Sequence, residues 1–247
     1  MLLTFAGLLA KEYCLTSFNK PHLDEFLRTA SPGSWEAEPE KLSGFAGKFS
    51  LGDPPPFGSE TLTRDKLKIA AGKREDEVPS VWLMWAVLVW GGVRHAAIGN
   101  ICGRKEELVE IISKIRSQQI KSRGDAYGAF LDLGKKGPFG LGPAFFTKLI
   151  FFAAPAHDGY IMDQWTAKSV NLIGGKQIVK LDGHWVSQRN RLSDYENFCL
   201  FVESLADKMR SSHCAANGEY VENCMFAGSA RGRSRLPWRK YVRSHHP

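Results

Sequence analysis

Two short stretches carry residue types that can do chemistry. The first runs Gly137-Pro138-Phe139-Gly140-Leu141-Gly142-Pro143 and continues as an apolar run to Phe152. Gly140 and Gly142 are able to take φ > 0 or to lie close against another backbone. Pro143 suits the first position of a helix. Two helices joined by such a turn place several backbone N–H groups at one helix N-terminus, which grips a phosphate without reading sequence. Lys135 and Lys136 precede the turn and add positive charge there. The second stretch is Tyr160–Val170, where Asp163 follows two apolar residues and opens a new helical pattern. Asp is a frequent N-cap, and the helix dipole keeps a carboxylate in that place ionised. Between the two stretches stands Lys148, flanked by Phe145, Phe146, Leu149 and Phe152. An ammonium in such company is costly unless it is used or paired.

The elements that must position these residues read as mainly helical. Residues 1–30 are expected to be mostly helix, and Ser31-Pro32-Gly33 ends that pattern. From 31 to 79 the glycines and Pro54-Pro55-Pro56 predict a loop-rich segment with one short helix near Arg64–Ala71. Pro79–Trp90 is apolar nearly all round and predicts a buried helix, with Trp82, Trp85 and Trp90 in the core. Leu108, Ile111, Ile112 and Ile115 give helical spacing within Arg104–Ile120, and Gly124–Leu133 predicts a shorter helix ending at Gly134. Arg94, His95 and Asn100 follow a Gly-Gly break and are expected in a loop. Ser193-Asp194-Tyr195-Glu196 matches a capping box, so a helix should start there and run to about Met209. No strand-like alternation is sustained, and Gln177–Leu181 is the one weak case. The expected division is 1–79, helical and loop-rich, and 80–247, a core with a basic tail.

Charge is distributed unevenly. The chain has 247 residues and a net charge of +7, with 33 Lys and Arg against 26 Asp and Glu. No acidic residue follows Glu222, while Arg231, Arg233, Arg235, Arg239, Lys240 and Arg243 do, so the preceding body is close to neutral. A basic segment beside a neutral body points to a polyanion such as a phosphate backbone. Trp238 and Tyr241 within it favour a docked tail over a solvated one. The five cysteines have no C-x-x-C pair and are too scattered for a zinc ribbon, which fits a reducing cytoplasm. No apolar run approaches the roughly 18 residues that cross a bilayer.

With these residues in view, the chain resembles the helix-hairpin-helix DNA glycosylases of base-excision repair. The resemblance rests on G-L-G opening an apolar helix and on the downstream Asp163 at the next helix start. The runs Gly140-Leu141-Gly142-Pro143-Ala144-Phe145-Phe146-Thr147-Lys148 and Asp163-Gln164-Trp165-Thr166-Ala167-Lys168 are similar to a bacterial branch named for 8-oxoguanine DNA glycosylase. It covers about 125–200, with Trp238-Arg239-Lys240-Tyr241 as an extension. The resemblance implies a mainly α, two-lobed glycosylase-like fold that flips out and excises a damaged base. It makes Asp163 the central catalytic carboxylate. Gly140, Leu141 and Gly142 would hold the DNA backbone, with Lys135, Lys136 and Arg239 adding charge. No cofactor is implied beyond a monovalent cation at the hairpin. The expected partner is double-stranded DNA, with no membrane, and the expected state a monomer in the bacterial cytoplasm, at the nucleoid.

One departure matters. Bifunctional members carry a Lys two residues after the second hairpin glycine, and here that position is Ala144. Lys148 lies one turn further on the same face. Either Lys148 is a Schiff-base nucleophile, giving a lyase, or it contacts phosphate or a carboxylate while Asp163 activates a water. A further alternative is a catalytically weak or inactive module that binds modified DNA.

Overall fold

The computed structural model describes residues 18–37, 57, 61–154, 156, 159–211, 213–226 and 236–245. Residues 1–17 of the helical stretch expected over 1–30, most of the loop-rich segment, and Arg231, Arg233 and Arg235 lie outside these residues. In chain order the early elements are α1 (Lys20–Thr29), β1 (Glu36–Ala37), β2 (Leu62–Thr63), α2 (Arg64–Ala71) and α3 (Ser80–Trp90). Then come α4 (His95–Gly103), α5 (Lys105–Arg116), α6 (Arg123–Lys135) and α7 (Pro143–Ala153). The last are α8 (Gln164–Gly174), β3 (Leu181–Asp182), β4 (Trp185–Val186), α9 (Leu192–Met209), α10 (Gly218–Phe226) and α11 (Pro237–His245). The protein is mainly α. None of the described helices is long and apolar enough to cross a membrane.

The chain forms two compact units, one of residues 35–159 and one of 1–34 with 160–247. The change in composition near 79 marks residue make-up and is not one of these cut points. In the 35–159 unit, α3 is buried on every side and packs on α2, α5 and α7. Trp82, Trp85 and Trp90 are all in this core. Trp90 and Trp35 exchange indole-to-carbonyl hydrogen bonds of 3.2 and 2.7 Å, which ties β1 to the end of α3. Antiparallel β1 and β2 pair Ala37 with Leu62, and Thr63 then caps α2 by accepting from the Lys66 amide. Arg116 closes the loop before α3: its guanidinium donates to Glu75, to the Val78 and Lys73 carbonyls and to Ser80.

The other unit is organised around α8, which packs on α1, α9, α10, α11 and β4. The Trp238 side chain of α11 is fully buried, edge-on to Phe26 of α1, and its indole N–H donates to Ser169 of α8 at 2.9 Å. His22 Nδ1 meets the Tyr241 hydroxyl at 2.9 Å. The described part of the basic tail is therefore docked. Tyr160 seats its ring on Gly218, where any Cβ would fall 2.1 Å from the hydroxyl oxygen.

Several expectations need correction. Arg94, His95 and Asn100 are not in a loop: Gly91-Gly92 is a tight turn, and Arg94 caps α4 with the other two inside it. The helix expected within Arg104–Ile120 runs Lys105–Arg116: Arg104 (φ −129°) stands outside helical geometry between α4 and α5, and Ser117 ends α5. The start of α9 lies earlier than Ser193. Asp194, not Glu196, serves as its acidic first-turn residue, because Lys180 holds the Asp194 carboxylate at 2.7 Å while it accepts from the Arg191 amide. A real strand pair begins at Leu181, where only a weak case was expected.

Candidate active site

In the 35–159 unit, α6 and α7 are joined by the turn Lys136–Gly142. Gly140 has φ +80°, and a Cβ there would lie 2.6 Å from the Ala97 carbonyl oxygen of α4. Only glycine fits both the dihedral and the gap. Gly142 is different: its φ is −102°, extended backbone, so the expectation of φ > 0 does not hold there. Its carbonyl accepts from the Phe145 and Phe146 amides as α7 begins. Phe139 and Leu141 are buried, so they anchor the turn and leave only backbone at position 141 to meet a ligand.

Lys135 and Lys136 are both exposed beside the turn. Lys135 pairs with Asp132 at 2.7 Å, a contact that holds the Asp132 carboxyl below its usual range. Arg104 was missed in the sequence. Its Nε and Nη2 hold Glu107, while Nη1 stands 3.4 Å from where a Cβ of Gly137 would be. Nothing local in the chain brings Arg104 to Gly137, because the contact depends on how α5 and α6 pack.

Lys148 belongs to α7 and is 7% exposed. Its ammonium donates to the Ala144 carbonyl at 2.9 Å and lies 5.4 Å from the centre of the Phe145 ring. The aliphatic stem crosses Gly91, where a Cβ would fall 3.0 Å from Lys148 Cδ. The amine is thereby turned one helical turn back, to the backbone of position 144.

Asp163 belongs to the other unit and is 7% exposed. It caps α8. Its Oδ1 accepts from the Trp165 and Thr166 amides at 2.8 and 3.1 Å, and Thr166 Oγ1 accepts from the Asp163 amide at 2.9 Å. This reciprocal box fixes the carboxylate relative to the helix start. Gly175, left-handed at φ +63°, ends the same helix. Arg239 of α11 lies over the Trp165 ring at 4.0 Å and near Phe226 at 5.6 Å. The guanidinium therefore stacks one residue beyond the Asp163-Gln164 pair, a relation invisible in a sequence where Trp165 and Arg239 stand 74 positions apart.

Lys168 and His184 were also missed. Lys168 is 5% exposed, and its Nζ lies 3.2 Å from His184 Nδ1. Burial pulls the Lys168 ammonium below its ordinary value. The sequence signal was present: Lys168 is a charged residue in an otherwise buried turn of α8. Its partner, in a strand pair too short to read, was not.

The family described as "Putative 8-oxoguanine DNA glycosylase OGG-like protein" matches residues 27–226, a stretch that contains the Gly140 turn, Lys148 and Asp163. No curated protein and no solved structure matches the chain. With the match extending over most of its length, the chain belongs to this OGG-like family.

Proposed function

We propose that this protein is a DNA glycosylase that flips a damaged base, 8-oxoguanine or a close analogue, out of double-stranded DNA and excises it. The observation that carries this reading is Asp163: a buried carboxylate fixed by two backbone amides at a helix start, inside a chain of a family named for that activity. Flipping costs a few kcal/mol. The N-glycosidic bond then breaks with its electron pair leaving on the base, and positive charge develops on the sugar. A fixed carboxylate beside that sugar stabilises the charge without reorganising. The turn at Gly140–Gly142 acts as the hairpin that grips the DNA backbone through peptide N–H groups. Lys135 and Lys136 add charge beside that turn, and Arg239 offers charge to DNA from the other unit.

Lys148 is the amine we assign to a lyase step. Its ammonium reaches back to position 144, where bifunctional glycosylases carry their lysine. After losing a proton, the amine bonds to the sugar C1′ as the C1′–base bond breaks with its electron pair leaving on the base. The nitrogen then loses its second proton as the C1′–O4′ bond opens and O4′ takes up a proton, giving an imine from which loss of a C2′ proton expels the 3′-phosphate and cuts the strand.

The test is a duplex bearing one 8-oxoguanine, incubated with protein and then treated with hot alkali. Cleavage at the lesion supports excision; none beyond the protein-free control overturns it. Ala144 favours a second reading, a module that binds modified DNA without excising its base. Tight lesion-duplex binding without alkali-labile product would establish it.

A further inference from the structure

The strand pair β3–β4 is a short arm whose tip carries an exposed indole. Leu181 pairs with Val186 and Asp182 with Trp185, and Gly183 takes φ +60° in the two-residue turn. Two-residue strands have little stability of their own. Here the base is fixed by Asn190, whose side chain accepts from the Lys180 amide and donates to the Lys180 and Ser187 carbonyls at 2.7 to 2.9 Å. Arg189 pairs with Asp182. The tip is fixed separately, by the helix that Asp163 opens. Lys168 Nζ lies 3.2 Å from His184 Nδ1. The Gln164 amide, oriented to satisfy both partners, donates to the His184 carbonyl at 3.2 Å and accepts from the Trp165 indole at 3.0 Å. The residue next to Asp163 and one a turn beyond both hold this arm.

On that arm Trp185 is 55% exposed. Ile69 and Leu192 are the other large exposed hydrophobics among the described residues, and neither is aromatic. The surrounding segment 176–191 carries Lys176, Lys180, Arg189 and Arg191 against Asp182; Arg189 pairs with Asp182, and Lys180 with Asp194 just beyond it. A basic segment presenting an aromatic face is the combination that tracks a phosphate backbone while stacking on a base.

We infer that the β3–β4 arm contacts DNA, with Trp185 stacking on the base left unpaired when the target nucleotide leaves the helix. This rests on the glycosylase reading above. Stacking on an orphaned base gives the arm a preference for opened over intact duplex, because only an opened duplex offers a free base face.

The experiment compares a fully matched duplex with one holding a stable tetrahydrofuran abasic analogue opposite 2-aminopurine. Native protein should bind the abasic duplex more tightly and quench the 2-aminopurine. Trp185→Ala should weaken abasic-duplex binding roughly 5- to 150-fold, the range for one aromatic stack, with little effect on matched duplex. It should also abolish the quenching. Trp185→Leu keeps apolar bulk but has no stacking face, so it must show the same loss, and Trp185→Phe must restore most of the affinity. Native-like binding and quenching in Trp185→Ala and Trp185→Leu overturns the inference and leaves the glycosylase reading standing. Equal losses on both duplexes also overturn it. Native protein that neither binds DNA nor excises 8-oxoguanine overturns both.

Discussion

The Lys148 ammonium donates to the carbonyl of Ala144, 2.9 Å away and one turn back along α7. A side chain from one position thus delivers its charge to the backbone of another, and the lyase step proposed for Lys148 can be tested directly. Borohydride added during reaction with a lesion duplex should trap a covalent protein–DNA adduct. Lys148→Met retains the aliphatic bulk over Gly91 and should give no adduct. Trapping that persists in Lys148→Met would assign the amine elsewhere.

Asp163→Asn preserves the cap, since Asn serves as well as Asp at that position. The fold and DNA affinity should therefore stay as in the native protein. Excision should fall on the order of 100-fold or more, the usual effect of removing a preorganised electrostatic stabiliser. Asp163→Ala should in addition lose about 1 kcal/mol of stability with the cap. Single-turnover excision, urea unfolding and a binding titration separate these effects, and undiminished excision by Asp163→Asn would remove Asp163 from the chemistry.

Gly140→Ala meets both a left-handed backbone and the Ala97 carbonyl oxygen at 2.6 Å. The strain should cost about 1 to 3 kcal/mol, and the turn should lose its register against α4. Denaturant unfolding measures the first effect. Weaker binding to undamaged duplex measures the second.

Arg239→Ala removes the guanidinium stacked over Trp165. If Arg239 reaches a phosphate, the slope of log affinity against log salt should become shallower by about one. An unchanged slope would confine Arg239 to packing.

His22 supplies a pH dependence. Its imidazole is pushed below the ordinary 6.5 by burial and then by His245. The unfolded chain takes up this proton near 6.5, and the folded chain takes it up only at lower pH. The unfolded state therefore binds more protons in that window, so stability drops as pH falls below about 6.5 and levels off beneath the folded value. The urea midpoint should decline over that window, and His22→Asn should decline less steeply. Parallel profiles for the two proteins would show that His22 contributes nothing.

Much of the arrangement was legible where a residue type imposes its own geometry. Pro143 begins α7 as a first-position proline, Asp163 caps α8, and the uniform apolarity of Val81–Trp90 becomes a helix buried on all faces. The short α2 falls at Arg64–Ala71 as its pattern indicated. Legibility failed where packing decides. Gly99 and Gly103 weaken any local helix signal in α4, which forms because Ile98 and Ile101 are buried and the Gly140 turn lies against its backbone. The helix expected from Ser193 to about Met209 runs Leu192–Met209, with Asp194 rather than Glu196 in its capping box. Arg239 over Trp165 joins residues far apart in sequence and leaves no mark on either neighbourhood, and the strand pair that brings His184 to Lys168 is too short to read.

The passage of the Lys148 stem across Gly91 has an evolutionary consequence. A methyl at position 91 would stand 3.0 Å from Lys148 Cδ, 3.2 Å from the Val87 carbonyl oxygen and 3.3 Å from the Phe145 ring. The two positions therefore share one space. In relatives, a side chain at 91 should go with a shifted or shorter side chain at 148, so position 91 reports on the lysine from across the core. A side chain at 91 would have to displace the Lys148 stem, so position 91 bears on the path by which the amine reaches the backbone of position 144.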